Sequence, residues 1–250
     1  MITVVEVTLA MPKEANAANV RRAVVGELYS ICRGLPNVEK GHVGMGQAPF
    51  RLASIALGRR WMAKIVVLDD ECLKRIMEEA NQGHNKIAAA RIGQITTCEV
   101  LQERGAMIQW PVTLAHTTPL AFRRHTNNGA SVDVRIPDGR LLARSVRMTW
   151  QMLAPNEYVD DSALCVTEMH GQCKTLNIGS GSELIAVCGF TGTAKYECVD
   201  KTQESKLGAL MLMACWVGVG RRATWGAGRV EPRGGLAEID SNVFRPGLDY

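Results

Sequence analysis

Two stretches of this 250-residue chain concentrate arginine. Between Phe122 and Trp150 stand Arg123, Arg124, Arg135, Arg140, Arg144 and Arg147, against Asp133 and Asp138 alone. From Gly218 to Gly234 the chain adds Arg221, Arg222, Arg229 and Arg233 against the single carboxylate of Glu231. Guanidinium groups are permanent cations whose planar fork of donors suits phosphate. The formal net charge is only +4, so the uneven distribution and not the total marks a polyanion site. Arg140, Arg144 and Arg147 fall at i, i+4 and i+7 and project from one helical face. Such a row matches successive phosphates of an A-form duplex, which is read by shape and charge more than by base. A solvated helix face would carry the same residues, but no acidic side chain stands at i±4 to pair with them.

The second feature is GVGRRATWGAG, Gly218 to Gly228, which follows an apolar helix. Its glycines, Gly218, Gly220, Gly226 and Gly228, let backbone amides come close to a phosphate chain, with Arg221 and Arg222 beside them for charge. Trp225, inside the loop, can stack on a base. The order is helix then glycines, the reverse of a dinucleotide fingerprint, and no Gly-Lys-Ser/Thr is present. A nucleotide-binding enzyme is therefore the weaker reading. A loop that merely turns the chain from helix to strand would show the same glycines.

These residues need elements to hold them. Residues 2–11 alternate as a strand, and Asn16 or Asn19 caps a helix to about Arg33, stopped by Gly34 and Pro36. A glycine-rich loop, EKGHVGMGQAP, follows. Strands are predicted over 51–57 and 61–68, a helix capped by Asp69 or Asp70 runs to about Asn81, and β-rich sequence fills 87–101. This strand–helix–strand–strand–helix–strand order is the ferredoxin-like arrangement. The second half repeats the theme: a strand at 107–115, β-rich stretches at 164–178 and 183–199, an apolar helix at 203–217 and a short strand at 229–232. The expected fold is α+β, with two ferredoxin-like (RRM-like) domains in tandem, 1–105 and 106–250. An arginine-rich helix at about 138–153 is expected as an insertion in the second.

Hydrophobic residues make up 46%, enough for a substantial core. No apolar run reaches the roughly 20 residues of a membrane span, and the first residues read as a strand and not a signal peptide. The eight cysteines show no CxxC spacing and read as reduced core thiols of a cytoplasmic protein. Cys165, His170 and Cys173 lack a second half-site, so no metal is expected there.

The run CGFTGTAKYECVD, then an apolar helix, then GVGRRATWGAGRVE, resembles the C-terminal half of the CRISPR-associated repeat-processing endoribonucleases of the RAMP superfamily. The resemblance implies two ferredoxin-like domains facing a cleft and metal-independent cleavage 3′ of a repeat hairpin. It further implies attack by the 2′-hydroxyl, a 2′,3′-cyclic phosphate end and a product that stays bound. Implied partners are the CRISPR repeat RNA (crRNA) hairpin and other subunits of a CRISPR effector complex, with no cofactor. The short chain and the arginine-rich helix resemble the type IV branch in particular.

In many relatives the catalytic histidine lies in the loop after the first helix, where this chain has His42. Histidine can serve as base or acid near neutral pH. Tyr29, Arg33 and Lys40 flank it and can orient the nucleophile or stabilise charge. Arg21 and Arg22, on the first helix, are expected to bind RNA or to share phosphate neutralisation, unless they form its solvated face. A non-catalytic subunit capping a guide RNA would use the same basic surface and is the principal alternative.

Overall fold

In the computed structural model, residues 1–35, 38, 48–83, 86–126 and 128–234 are described. Lys40 and His42 lie outside these residues. The chain order begins β1 (Ile2–Leu9), α1 (Ala17–Ile31), β2 (Phe50–Leu57), β3 (Trp61–Val67), α2 (Asp70–Gln82) and β4 (Ile87–Thr96). The four strands pair antiparallel in the order β2-β3-β1-β4, the ferredoxin-like topology. Local chemistry sets the helix starts. Asn16 accepts a hydrogen bond from the Asn19 amide at 2.9 Å, and Asp69 accepts one from the Cys72 amide at 2.8 Å.

The period-2 pattern of β1 explains how the halves join. Val5, Val7 and Leu9 pack into a core with α1 and α2, whereas Ile2 and Val4 belong to the core of the second half. Both faces of the first sheet are thus covered, one by its own helices and one by the rest of the chain.

Where β-rich sequence is predicted to continue to 101, β4 stops at Thr96 and α3 (Cys98–Gly105) begins. The Thr97 hydroxyl caps α3 by accepting from the Val100 amide at 3.3 Å. The second half then runs β5 (Val112–Leu120), β6 (Phe122–His125), β7 (Ser131–Val134), α4 (Gly139–Leu153), β8 (Leu164–Ile178), β9 (Ile185–Cys198), α5 (Glu204–Val217) and β10 (Val230–Arg233). Its main sheet has the order β10-β5-β9-β8, so the ferredoxin-like topology recurs.

This order reassigns the arginine-rich helix. α4 is the first helix of the second unit, burying Leu142, Ala143, Val146 and Trp150, and not an insertion. The added element is the two-stranded hairpin β6–β7, placed between β5 and α4.

From Leu207 to Val217 every residue of α5 is buried, which is why that helix is apolar on all sides. It crosses α3 where Gly105 meets Gly208: a Cβ on Gly208 would lie within hydrogen-bonding distance of the Gly105 carbonyl, too close for carbon. No helix among the described residues is long and apolar enough to cross a membrane.

Candidate nucleic-acid interface

Five segments converge on one cleft of about 1520 Å³. The C-terminal end of α1 brings Tyr29 and Arg33, and β2 brings Arg51. The β6–β7 hairpin contributes Arg123, Arg124 and His125; α4 contributes Arg140, Arg144 and Ser145; and the glycine-rich loop contributes Gly218, Gly220, Arg221, Arg222 and Trp225. Among the described residues, eight arginines line the cleft against one carboxylate, Asp138, and that carboxylate is engaged as the cap of α4, accepting from the Leu141 amide at 2.8 Å. So one-sided a lining attracts a polyanion strongly, because the protein walls concentrate the field.

The arginines fall into two groups. Arg33, Arg124, Arg144 and Arg222 are exposed and have no carboxylate partner among the described residues. Arg221 and Arg123 share Asp133, at 2.5 Å and 3.7 Å, which ties the glycine-rich loop to the hairpin. Arg140 is solvent-facing but sits 3.6 Å from Asp161.

Arg222 is the only non-glycine residue with positive φ (63°) among those described. That conformation is costly for a side chain and tends to persist where the surroundings impose it. Partial desolvation against the cleft wall and the neighbouring Arg221 push the pKa of Arg222 down, and Tyr29 pushes it back up.

Beneath these cations lies a buried layer that sequence reasoning missed. Arg51 is fully buried; its Nη1 donates to the carbonyls of Ala48 at 2.5 Å and Phe50 at 2.8 Å, and its Nη2 reaches the Thr149 hydroxyl of α4 at 3.4 Å. It therefore links the first sheet to the second unit across the cleft floor. Burial pulls its pKa down to about 10, so it is still a cation at neutral pH. The available signal was an arginine inside the otherwise apolar strand FRLASIAL.

Tyr29 packs edge-on against Phe50, with ring centres 5.1 Å apart, and tilted against Trp225 at 6.4 Å. Burial raises the Tyr29 pKa, opposed by Arg51 and Arg222. At neutral pH its hydroxyl is therefore a proton donor and not a base. His125 is exposed in the cleft, and its Nδ1 lies 3.1 Å from the Ser131 hydroxyl.

Several expected contacts are placed elsewhere. Arg147 does not line the cleft: it pairs with Asp161 at 3.2 Å, donates to the Val159 carbonyl at 3.2 Å and lies over the Tyr158 ring. The physical reason is tertiary, since the segment after α4 folds back over that end of the helix. Arg21 is buried, its guanidinium against Gly226 under the loop, and so has no surface to offer. Arg22 is half-buried and outside the cleft lining. Arg229 is fully buried and donates to the carbonyls of Trp216 and Cys215, closing the C-terminal end of α5. Arg233 pairs with Glu231.

The loop's glycine amides turn inward too. Gly218 donates to Ala214 at 2.9 Å, Gly220 to the Ser145 hydroxyl at 2.8 Å, Gly226 to Ala223 at 3.0 Å and Gly228 to Pro119 at 3.0 Å. The glycines shape the loop, and its side chains carry its charge. Gly228 has φ 63°, and a Cβ there would collide with the Val219 carbonyl, held close because the Val219 amide donates to the Gly228 carbonyl at 2.8 Å. Gly228→Ala is expected to destabilise the chain by about 3–5 kcal/mol, a fall of roughly 10 °C in the melting midpoint. A thermal melt checks this, and an unchanged midpoint would mean that the loop can rearrange freely.

No group of three or more metal-ligating side chains is present among the described residues.

Residues 114–230 match the family model described as CRISPR-associated endoribonuclease Cas6. The fold is similar to that of a solved Cas6 (TTHB231) product complex, with a TM-score of 0.71 and 22% identity over 93% of this chain and 100% of that one. Thermus thermophilus Cas6 (TTHB231) superposes with a TM-score of 0.60 at 22% identity, over 93% and 97% of the two chains. The structure described as a Cas6-related gene from Pyrococcus furiosus gives 0.56 at 11% identity, over 94% and 100%. No curated protein sequence matches the chain. The chain thus resembles Cas6 proteins in its C-terminal sequence and shares their fold, a tandem pair of ferredoxin-like units.

Proposed function

We propose that this chain is an endoribonuclease of the Cas6 kind, which binds the hairpin of a CRISPR repeat RNA and cuts the precursor crRNA beside it. The observation that carries the reading is the cleft itself, where, among the described residues, eight arginines from five elements line the walls with Tyr29 and with one carboxylate, already engaged. The similarity to a Cas6 solved with product and to another described as a Cas6 substrate mimic complex supports RNA as the polyanion.

In the mechanism we propose, the 2′-hydroxyl upstream of the scissile phosphate attacks phosphorus, the 5′-oxygen leaves, and a cyclic phosphate remains. No metal takes part. Arg33 and Arg222, which line the cleft together with Tyr29, would neutralise the phosphorane. Tyr29, held protonated by burial, would donate a hydrogen bond to a phosphate oxygen. Proton transfer falls to His42, which follows α1 in the sequence, with Lys40 two positions before it. Arg124, Arg140 and Arg144 would hold the RNA backbone, and the product would stay in the cleft. The chain would act in the cytoplasm, alone or beside effector-complex subunits.

The test is single-turnover cleavage of labelled repeat RNA in a chelator, by wild-type chain and by His42→Ala. Wild type should cut, and the variant should be slower by roughly a hundredfold or more, with little change in binding. RNA that is bound but never cut, with or without magnesium, would favour a non-catalytic subunit capping a guide RNA. Equal rates for both proteins would remove His42 from the chemistry and leave the arginines to carry it.

A further inference from the structure

The last turn of α1 and the first turn of α2 meet at two sulfur atoms. Cys32 is the C-cap residue of α1, Cys72 lies in the first turn of α2, and their Sγ atoms are 2.9 Å apart. That is closer than two sulfurs in van der Waals contact, and both side chains are fully buried. Cys165, Cys173, Cys198 and Cys215 instead direct their sulfurs at backbone carbonyls. The helix ends are already joined non-covalently one turn on: Arg75 donates to the Arg33 carbonyl at 2.7 Å and pairs with Glu71 at 3.0 Å. Tyr29 and Arg33 of the cleft stand on either side of Cys32 in the chain.

We propose that Cys32 and Cys72 are a disulfide-forming pair, a covalent brace that fixes the cleft end of α1 to α2. An S–S bond is about 2.05 Å long, so closure requires less than an ångström of approach. The oxidant is a low-molecular-weight disulfide such as oxidised glutathione. One cysteine thiolate attacks a glutathione sulfur, releasing one glutathione and leaving a mixed disulfide. The second thiolate then attacks the protein sulfur and releases the other glutathione. The protein gives up two electrons and two protons, which end on two glutathione thiols. Because both sulfurs are buried, the exchange belongs to the folding chain or to a transient opening of the α1–α2 contact.

The bond would close the loop from Cys32 to Cys72, and restricting the unfolded chain in this way should raise the melting midpoint by about 5–10 °C. The experiment refolds the full chain in a glutathione redox buffer, traps free thiols with iodoacetamide in denaturant and maps peptides by mass spectrometry. A Cys32–Cys72 linked peptide is expected, together with a melting midpoint that falls on adding dithiothreitol. Cys72→Ala and Cys32→Ser should melt alike with and without reductant. Alkylation of both cysteines after oxidation, or cross-linking of a different pair, would overturn the proposal. The peptide map of the wild-type chain decides it even if a variant fails to fold.

Discussion

RNA carrying one 2′-deoxyribose immediately upstream of the scissile phosphate is expected to bind this chain normally and to remain uncut. The proposed reaction uses the 2′-oxygen as nucleophile, and held beside phosphorus it gains the rate advantage of a pre-positioned group. Removing it leaves no internal nucleophile and no proton for a base to take. Binding should hardly change, because the cleft offers cations to the backbone and the lost hydroxyl is one polar contact among many. Cleavage should therefore fall below detection while the dissociation constant stays within about twofold of the all-RNA value. Single-turnover gel assays and filter binding on the two RNAs measure both quantities. If the deoxy RNA were still cut, water would be the nucleophile, and the roles given to Tyr29, Arg33 and His42 would have to be reassigned.

Replacing Arg124, Arg144 and Arg222 together by alanine is expected to weaken RNA binding about a hundredfold at physiological salt. Each residue is exposed and without a carboxylate partner among the described residues, so each is available to a phosphate. A phosphate contact releases about 0.7–0.9 of a counterion, worth roughly a four- to fivefold gain in affinity at ~0.15 M salt, and three contacts multiply. The slope of log K against log salt should flatten by about 2–3 units. Arg147→Ala supplies the contrast, since that side chain is committed to Asp161 and Val159. Its loss should cost stability and leave the salt slope unchanged. If the triple variant kept the wild-type slope while folding normally, the cleft would not be where the RNA backbone lies.

Much of this molecule was legible in the sequence because it is encoded locally. The alternation of Val5, Val7 and Leu9 opposite Ile2 and Val4 specifies β1 and both of its faces. Side-chain caps at Asn16, Asp69 and Asp138 start the helices where the residue types say they should. The recurrence of strand–helix–strand–strand–helix–strand gave two ferredoxin-like units, and the arginine excess pointed to a polyanion.

Which arginines face that polyanion was decided only in three dimensions. Arg147 shares its helical face with Arg140 and Arg144, yet the segment that follows α4 folds back over it and supplies Asp161. Arg229 looks like part of the basic loop but spends its charge on the carbonyls ending α5. Arg51 looks like a strand residue but forms the cleft floor, because Thr149 comes to it from the other unit. α4 reads as an insertion until strand order shows that it is the second unit's first helix and that the hairpin β6–β7 is the added piece. A helix cap or a strand's alternation depends on residues a few positions apart, so sequence determines it. A guanidinium's availability depends on which carboxylate or carbonyl the fold brings within about 4 Å, and those partners lie on other elements or past a turn of the chain, beyond the reach of local sequence pattern.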